Sequence, residues 1–194
     1  PRDWSSDVCS SDLKFIPAGA DLIVEIHYTP NSKVVEDRTR VGLVFAKTPP
    51  TQRVLTLQMN QTTFRIPAGQ RDYRVSVWGT LPNDALLLGL FPHMHLRGKS
   101  FEFTRLLENR QPETMLLVSP YDFHWQLWYR LAAPLPLKKG TRLNWVATYD
   151  NSASNARNPD PTADVTYGFQ SWEEMMIGFF DVAVDAHVDK KTFF

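Results

Sequence analysis

His93 and His95, in the stretch FPHMHLRGK (91–99), are the residues whose type and spacing most directly suggest chemistry. Side chains two apart on a β-strand share a face. A strand through this stretch therefore points both imidazoles one way, with Met94 and Leu96 the other. Neutral imidazole is a good donor to copper, zinc, iron and nickel, and two of them converging on one point are the start of a transition-metal site. Most histidines are not ligands, however, and an H-x-H pair arises by chance in many chains. Taken alone, the pair leaves metal binding and a structural role both open.

A third donor must come from a distant strand. For zinc it would be another histidine or a carboxylate, and the chain offers too many of these to choose among. Met175, in SWEEMMIGFFD, has a more distinct meaning, because a thioether is soft, favours Cu(I) and suits zinc poorly. Met175 and Met176 also have the character of core filler, and His27, in VEIHYTP, reads by itself as a packed or hydrogen-bonded strand residue.

The elements that must position these residues are strands. The run ALLLGLF (85–91) before the histidines is too short for a helix, and Leu86, Leu87 and Leu88 cannot be assigned by periodicity alone. Following the turn signal PND, it reads as a buried strand, with Gly98 releasing the chain into a turn. Further strands are expected at 21–28, 40–46, 53–59, 62–69, 72–78, 101–107, 113–119, 123–131, 141–149 and 175–185. The longest polar loop is 150–163, expected to be solvated, and SWEE (171–174) reads as a short helical turn capped by Ser171, with Glu174 three residues on. Many short strands separated by turns predict an all-β fold, an antiparallel jelly-roll-like β-sandwich.

Composition agrees with that class. The chain of 194 residues holds 14 prolines and is 12% aromatic. Its 21 basic and 21 acidic residues balance, so no net field attracts nucleic acid or an anionic membrane. No segment has the apolar length of a membrane span. The single cysteine, Cys9, excludes an intrachain disulfide and a multi-cysteine metal site. Residues 1–13, with SSD occurring twice, resemble a translated adapter sequence and are set apart from the fold, and the chain reads as a fragment of a longer protein. KTPPTQ (47–52) is the most linker-like stretch, which divides the rest into 14–49 and 50–194.

Three motifs in order, VEIHYTP, HMHLRGK and EEMMIGFFD, resemble the copper type II, ascorbate-dependent monooxygenases, the family of dopamine β-hydroxylase and peptidylglycine α-hydroxylating monooxygenase. Members close to the former read H-x-H-L-x-G-[RK] on one strand, a later E-M-C, and an upstream strand ending in H-Y. Here the matching positions are His93, His95, Leu96, Gly98 and Lys99, then Glu174 and Met175, with His27 and Tyr28 upstream, and the resemblance covers most of 20–185. It implies that His93, His95 and Met175 hold the copper at which O2 is activated and a small-molecule C–H bond hydroxylated. His27 would be one of three ligands of a second, electron-supplying copper, and ascorbate the reductant. On this reading 14–49 are the terminal strands of a truncated N-terminal copper domain and 50–194 the C-terminal copper-binding sandwich. The missing N-terminal domain would complete the second site, and the location would be periplasmic or secreted, as in a bacterial relative.

Some positions depart from the pattern. Peptide-amidating members carry Arg two residues before the first histidine, where this chain has Phe91; their Asn and Tyr after the Met ligand fall at Ile177 and Phe179. A peptide substrate is therefore not expected. Met176 stands in place of the cysteine of E-M-C. His124 and His187 match no ligand of the family and are expected to be structural or exposed, while Trp125, Trp128 and Tyr129 could line a pocket, with core packing the favoured reading. Two other functions compete. One is a non-catalytic copper-binding or interaction β-sandwich. The other, a cupin-type metal enzyme, needs a Glu four or five residues beyond the second histidine, where Lys99 and Ser100 stand.

Overall fold

Alternation of apolar and polar residues fixes most of the strands. In VLTLQ, Leu55 and Leu57 are buried while Thr56 and Gln58 are exposed, the pattern of a sheet with one face on a core. The computed structural model describes residues 12–26, 28 and 31–193. Its strands are β1 (Asp12–Leu13), β2 (Gln52–Gln61), β3 (Arg65–Ile66), β4 (Tyr73–Thr80), β5 (Ala85–His93), β6 (Gly98–Leu106), β7 (Pro112–Val118), β8 (Tyr129–Leu137), β9 (Arg142–Tyr149), β10 (Val165–Thr166) and β11 (Met176–Asp185). The expected β-sandwich is what forms. One sheet runs β1–β2–β11–β5–β8, the facing sheet β4–β9–β6–β7, and β3 pairs with β10 at the side. All these pairings are antiparallel except that of β1 with β2.

Aromatic rings fill the space between the sheets. Trp145 of β9 is fully buried and meets Phe103 of β6 edge-on at 4.8 Å and Phe180 of β11 at 5.7 Å, the offset and perpendicular arrangements that ring quadrupoles favour. The backbone of β11 approaches this cluster closely at Gly178. A Cβ there would lie 2.5 Å from Trp145 Cδ1 and 2.9 Å from Phe103 Cε1, so no side chain fits.

In β5 the apolar run carries a phase change that alternation cannot reveal. Ala85 and Leu87 face the core, and so do Leu90 and Met94, an odd-to-even switch. Leu87 pairs with Val182 and Gly89 with Asp181, so Leu88 is the extra residue of a β-bulge. The pairing with β8 slips at the same place. A bulge inserts one unpaired residue and re-aims every side chain beyond it. Beyond Leu88 the even residues point inward and Phe91 and His93 outward.

Several expectations need correction. The described residues of 21–28 and all of 40–46 form no strand, and Ile23, Val34 and Val44 stand exposed. An alternating pattern becomes a strand only beside a ladder partner, and no partner for these two segments is present among the described residues. The side chains of Tyr28 and Asp37 do meet, at 2.7 Å. The run 123–131 is not one strand, since 123–128 form a loop and β8 starts at Tyr129. The 62–69 strand shrinks to β3. Gly98 does not open a turn: the turn lies at Leu96–Arg97, and Gly98 is the first residue of β6.

Because Gly178 has no free space on its core side, Gly178→Ala is expected to destabilise the fold by about 1–3 kcal/mol through overpacking. Chemical denaturation would read this as a lower midpoint with an unchanged slope.

Candidate metal centre

His93 is the last residue of β5, and His95 lies just beyond it, before the turn into β6. Met94 between them is wholly buried in the core, so the two histidines share the opposite, outer side of the sheet. Their rings lie 5.2 Å apart and nearly perpendicular. The expectation that they converge is met, and the bulge at Leu88 is what brings them to the outer face.

Each ring has one nitrogen committed to an oxygen acceptor. His93 Nδ1 lies 2.7 Å from Gln126 Oε1, and the same amide donates from Nε2 to the Phe123 carbonyl at 2.9 Å, which fixes its orientation. His95 Nδ1 lies 3.2 Å from the carbonyl of Glu173. Acceptors of this kind call for N–H on Nδ1, and in the neutral ring the lone pair is then on Nε2, one of the two tautomers able to bind a metal. Burial, and the neighbouring His93, hold the His95 imidazole below its usual pKa, so it is neutral at pH 7. Phe123 closes one side, edge-on to His95 at 6.1 Å.

Met175 is the residue just before β11. Ile177 pairs with His93, so the two face the same way. Met176 is in the core, and continuing the alternation one residue back puts Met175 on the side of Ile177 and the histidines. Met175 is 7% exposed and stands apart from the core cluster that holds Met176. Its carbonyl accepts from the buried Tyr149 hydroxyl at 2.7 Å. His27 is outside the described residues. Among the described residues, no three His, Cys, Asp or Glu side chains are placed to hold a metal ion.

No protein-family model matches this chain, and no curated protein matches it in sequence.

The segments around the histidines are tied together by buried polar groups, most of which had no signal in the sequence. Glu174 is wholly buried, and its carboxylate accepts from the backbone N–H groups of His95 at 2.8 Å, Arg97 at 2.7 Å and Met175 at 3.3 Å. Burial raises its carboxyl to about 8, while those donors and Arg97 favour the ionised form; with N–H donors on both oxygens an acid proton would have no acceptor among them, and the hydrogen bonds are those of the carboxylate. The helical cap expected at Ser171 is absent. The turn there is closed by Glu173, whose carboxylate accepts from Gln170 N at 2.9 Å, while Glu174 points inward. Arg97, 2% exposed, donates to Asn151 Oδ1 at 2.7 Å and to the Trp172 carbonyl at 2.8 Å. Tyr121 both donates to the Met94 carbonyl and accepts from Met94 N, at 2.8 and 3.0 Å. The 150–163 loop is not simply solvated, because Asn151 is fully buried and bonds Pro67 and Ala163 carbonyls.

The aromatic residues divide differently from expectation. Trp125 and Trp128 lie at the surface rather than in the core, because 123–128 is loop. Trp128 stacks on Phe91 at 5.7 Å, and Phe91 meets Phe179 at 5.8 Å, an apolar strip running along the outer face from His93. Its indole covers Gly89, where a Cβ would lie 2.5 Å from Trp128 Nε1. His124 and His187 are exposed.

Replacing Gln126 with Leu is expected to leave the fold intact while removing the acceptor that fixes His93. Long-range 15N–1H NMR of the neutral imidazoles should then show His93 changing from the Nδ1–H tautomer to a mixture. A wild-type His93 already protonated on Nε2 would contradict the assignment.

Proposed function

We propose that His93, His95 and Met175 hold one copper ion, and that the chain is the copper-binding part of a monooxygenase that hydroxylates a small-molecule C–H bond with O2. The observation that carries this reading is the donor set. Two imidazoles meet on one face with both Nδ1 atoms against oxygen acceptors, and Met175 lies two residues before Ile177, the ladder partner of His93. Two imidazoles and a soft sulfur suit Cu(I) better than zinc, magnesium or calcium. The three motifs in order support the family-level part of the reading, with ascorbate as reductant and a second copper held in part by His27. An exported location and the missing N-terminal copper domain belong to the same reading.

When bound, copper would supply O2 activation and one-electron chemistry at this position. The chain's own residues do the positioning. Gln126 and the Glu173 carbonyl hold the imidazoles in the binding tautomer, Phe123 shields His95, and the Phe91–Trp128–Phe179 strip offers an apolar surface next to His93. Phe91 brings no charge to the surface next to His93, while Lys14 Nζ lies 6.0 Å from the Trp128 ring at the far side of the strip.

The test is copper content and Cu(I) X-ray absorption on the purified chain, wild type against Met175→Ile. The expected result is one copper per chain with a sulfur scatterer that disappears in the variant. Cu(I) affinity should fall by about tenfold or more, equivalent to about 1.4 kcal/mol, with little change for Cu(II). Equal losses for both oxidation states would remove Met175 from the ligand set. Copper with sulfur but no hydroxylation by a longer form of the protein would favour a binding module over an enzyme.

A further inference from the structure

We infer that Glu174 is the positioning residue of this centre, a buried carboxylate that sets the spacing between the histidine segment and the methionine segment. The inference rests on reading His93, His95 and Met175 as the copper ligands. The ladder between β5 and β11 ends at the pair His93–Ile177. Beyond it the two chains carry His95, Arg97 and Met175, whose N–H groups point into buried space. Glu174 takes the place of the missing ladder carbonyls. Oε2 accepts from both His95 N and Met175 N, and Oε1 accepts from Arg97 N. One side chain thus bonds the backbone of the second histidine and that of the methionine, residues far apart in sequence.

Glu174 is itself held from both sides. Its N–H donates to the Thr166 carbonyl and its carbonyl accepts from Gly168 N, each at 3.1 Å. The clamp therefore cannot drift with the turn at 170–173. Only a carboxylate does this work. All the partners are donors, and a carboxylate offers two oxygens with no proton of its own to place. A glutamine has the same shape but must direct an NH2 group at one of these N–H groups, which opens one arm of the clamp without leaving a cavity.

Glu174→Gln separates positioning from folding. The experiment compares wild type, Glu174→Gln and a control, Glu102→Gln, on the facing sheet, whose carboxylate accepts from the Thr114 hydroxyl. The readouts are thermal unfolding of the metal-free proteins, separate Cu(I) and Cu(II) affinities, and the sulfur scattering of bound Cu(I). Glu174→Gln is expected to unfold cooperatively, to lose the sulfur scatterer, and to bind Cu(I) about 10- to 100-fold more weakly, as for other residues that orient metal ligands. Glu102→Gln should match wild type. Glu174→Asp, which keeps both oxygens but shortens their reach, provides the same comparison where the Gln variant does not fold, with the same expected losses.

Wild-type scattering and affinity in Glu174→Gln would overturn the clamp while leaving the copper site standing. Absence of sulfur scattering in the wild type would instead defeat the copper reading itself. Loss of folding in both the Gln and Asp variants would also overturn the inference, because Glu174 would then hold the fold rather than the ligand spacing.

Discussion

One extra residue, Leu88, decides which way the histidines of β5 face. Up to Leu87 the odd-numbered residues of the strand are in the core, and beyond the bulge the even-numbered ones are. Without that slip, Phe91, His93 and His95 would point between the sheets and Leu90, Pro92 and Met94 away from them. The side-chain period of a strand is two, so an error of one residue exchanges the faces completely. The neighbouring strands accommodate the slip on both sides, and Gly89 lets Trp128 lie directly on the backbone next to it. The candidate centre on the outer face thus draws on a strand that is also a central part of the core.

The same end of the sandwich buries a great deal of polarity. Arg97, Glu174 and Asn151 are each 2% exposed or less. Such groups stay buried only when their hydrogen bonds are made, and here they are made to backbone groups of separate loops and, between Arg97 and Asn151, side chain to side chain. Arg97 reaches the 150–158 and 172 segments, Asn151 reaches 67 and 163, and Glu174 reaches 95, 97 and 175. Each bond fixes the position of a chain that has no sheet partner at that point. The polar network therefore continues the work of the β-ladders past the ends of the strands, where the candidate ligands are.

This division explains what could be read from the sequence. Strands with one buried face, such as β2, β4 and β9, announce themselves by alternation, and the same rule placed His93 and His95 together. The phase of LLLGL was not legible, because a bulge depends on the neighbouring strands and not on the run itself. The stretches 21–28 and 40–46 have the right pattern for strands but no ladder partner among the described residues. FHWQLWYRL was misread because apolar residues that rim a site and apolar residues that fill a core look alike along a chain. Glu174 showed the limit most clearly. Three residues after a serine, it fits a helix cap, and nothing local distinguishes that role from a carboxylate gathering three distant amides.

The network also bears on how metal binding and folding relate. In small metal-dependent domains the ligands come together only when the ion does, and the binding energy is folding energy. Here the imidazole rings are held by Gln126 and the Glu173 carbonyl, and the backbones of His95 and Met175 by Glu174, all through bonds between protein groups. Behind them stands a core of paired sheets and packed aromatic rings that owes nothing to an ion. A centre whose donors are oriented beforehand gives up less freedom on binding, and its spacing is imposed by the fold rather than chosen by the metal. For a soft-donor site that is the more selective arrangement. An ion preferring other distances or harder ligands cannot draw the loops in around itself without breaking buried hydrogen bonds. On the proposed copper reading, the selectivity of the site would then reside as much in a buried glutamate as in the three side chains proposed as ligands.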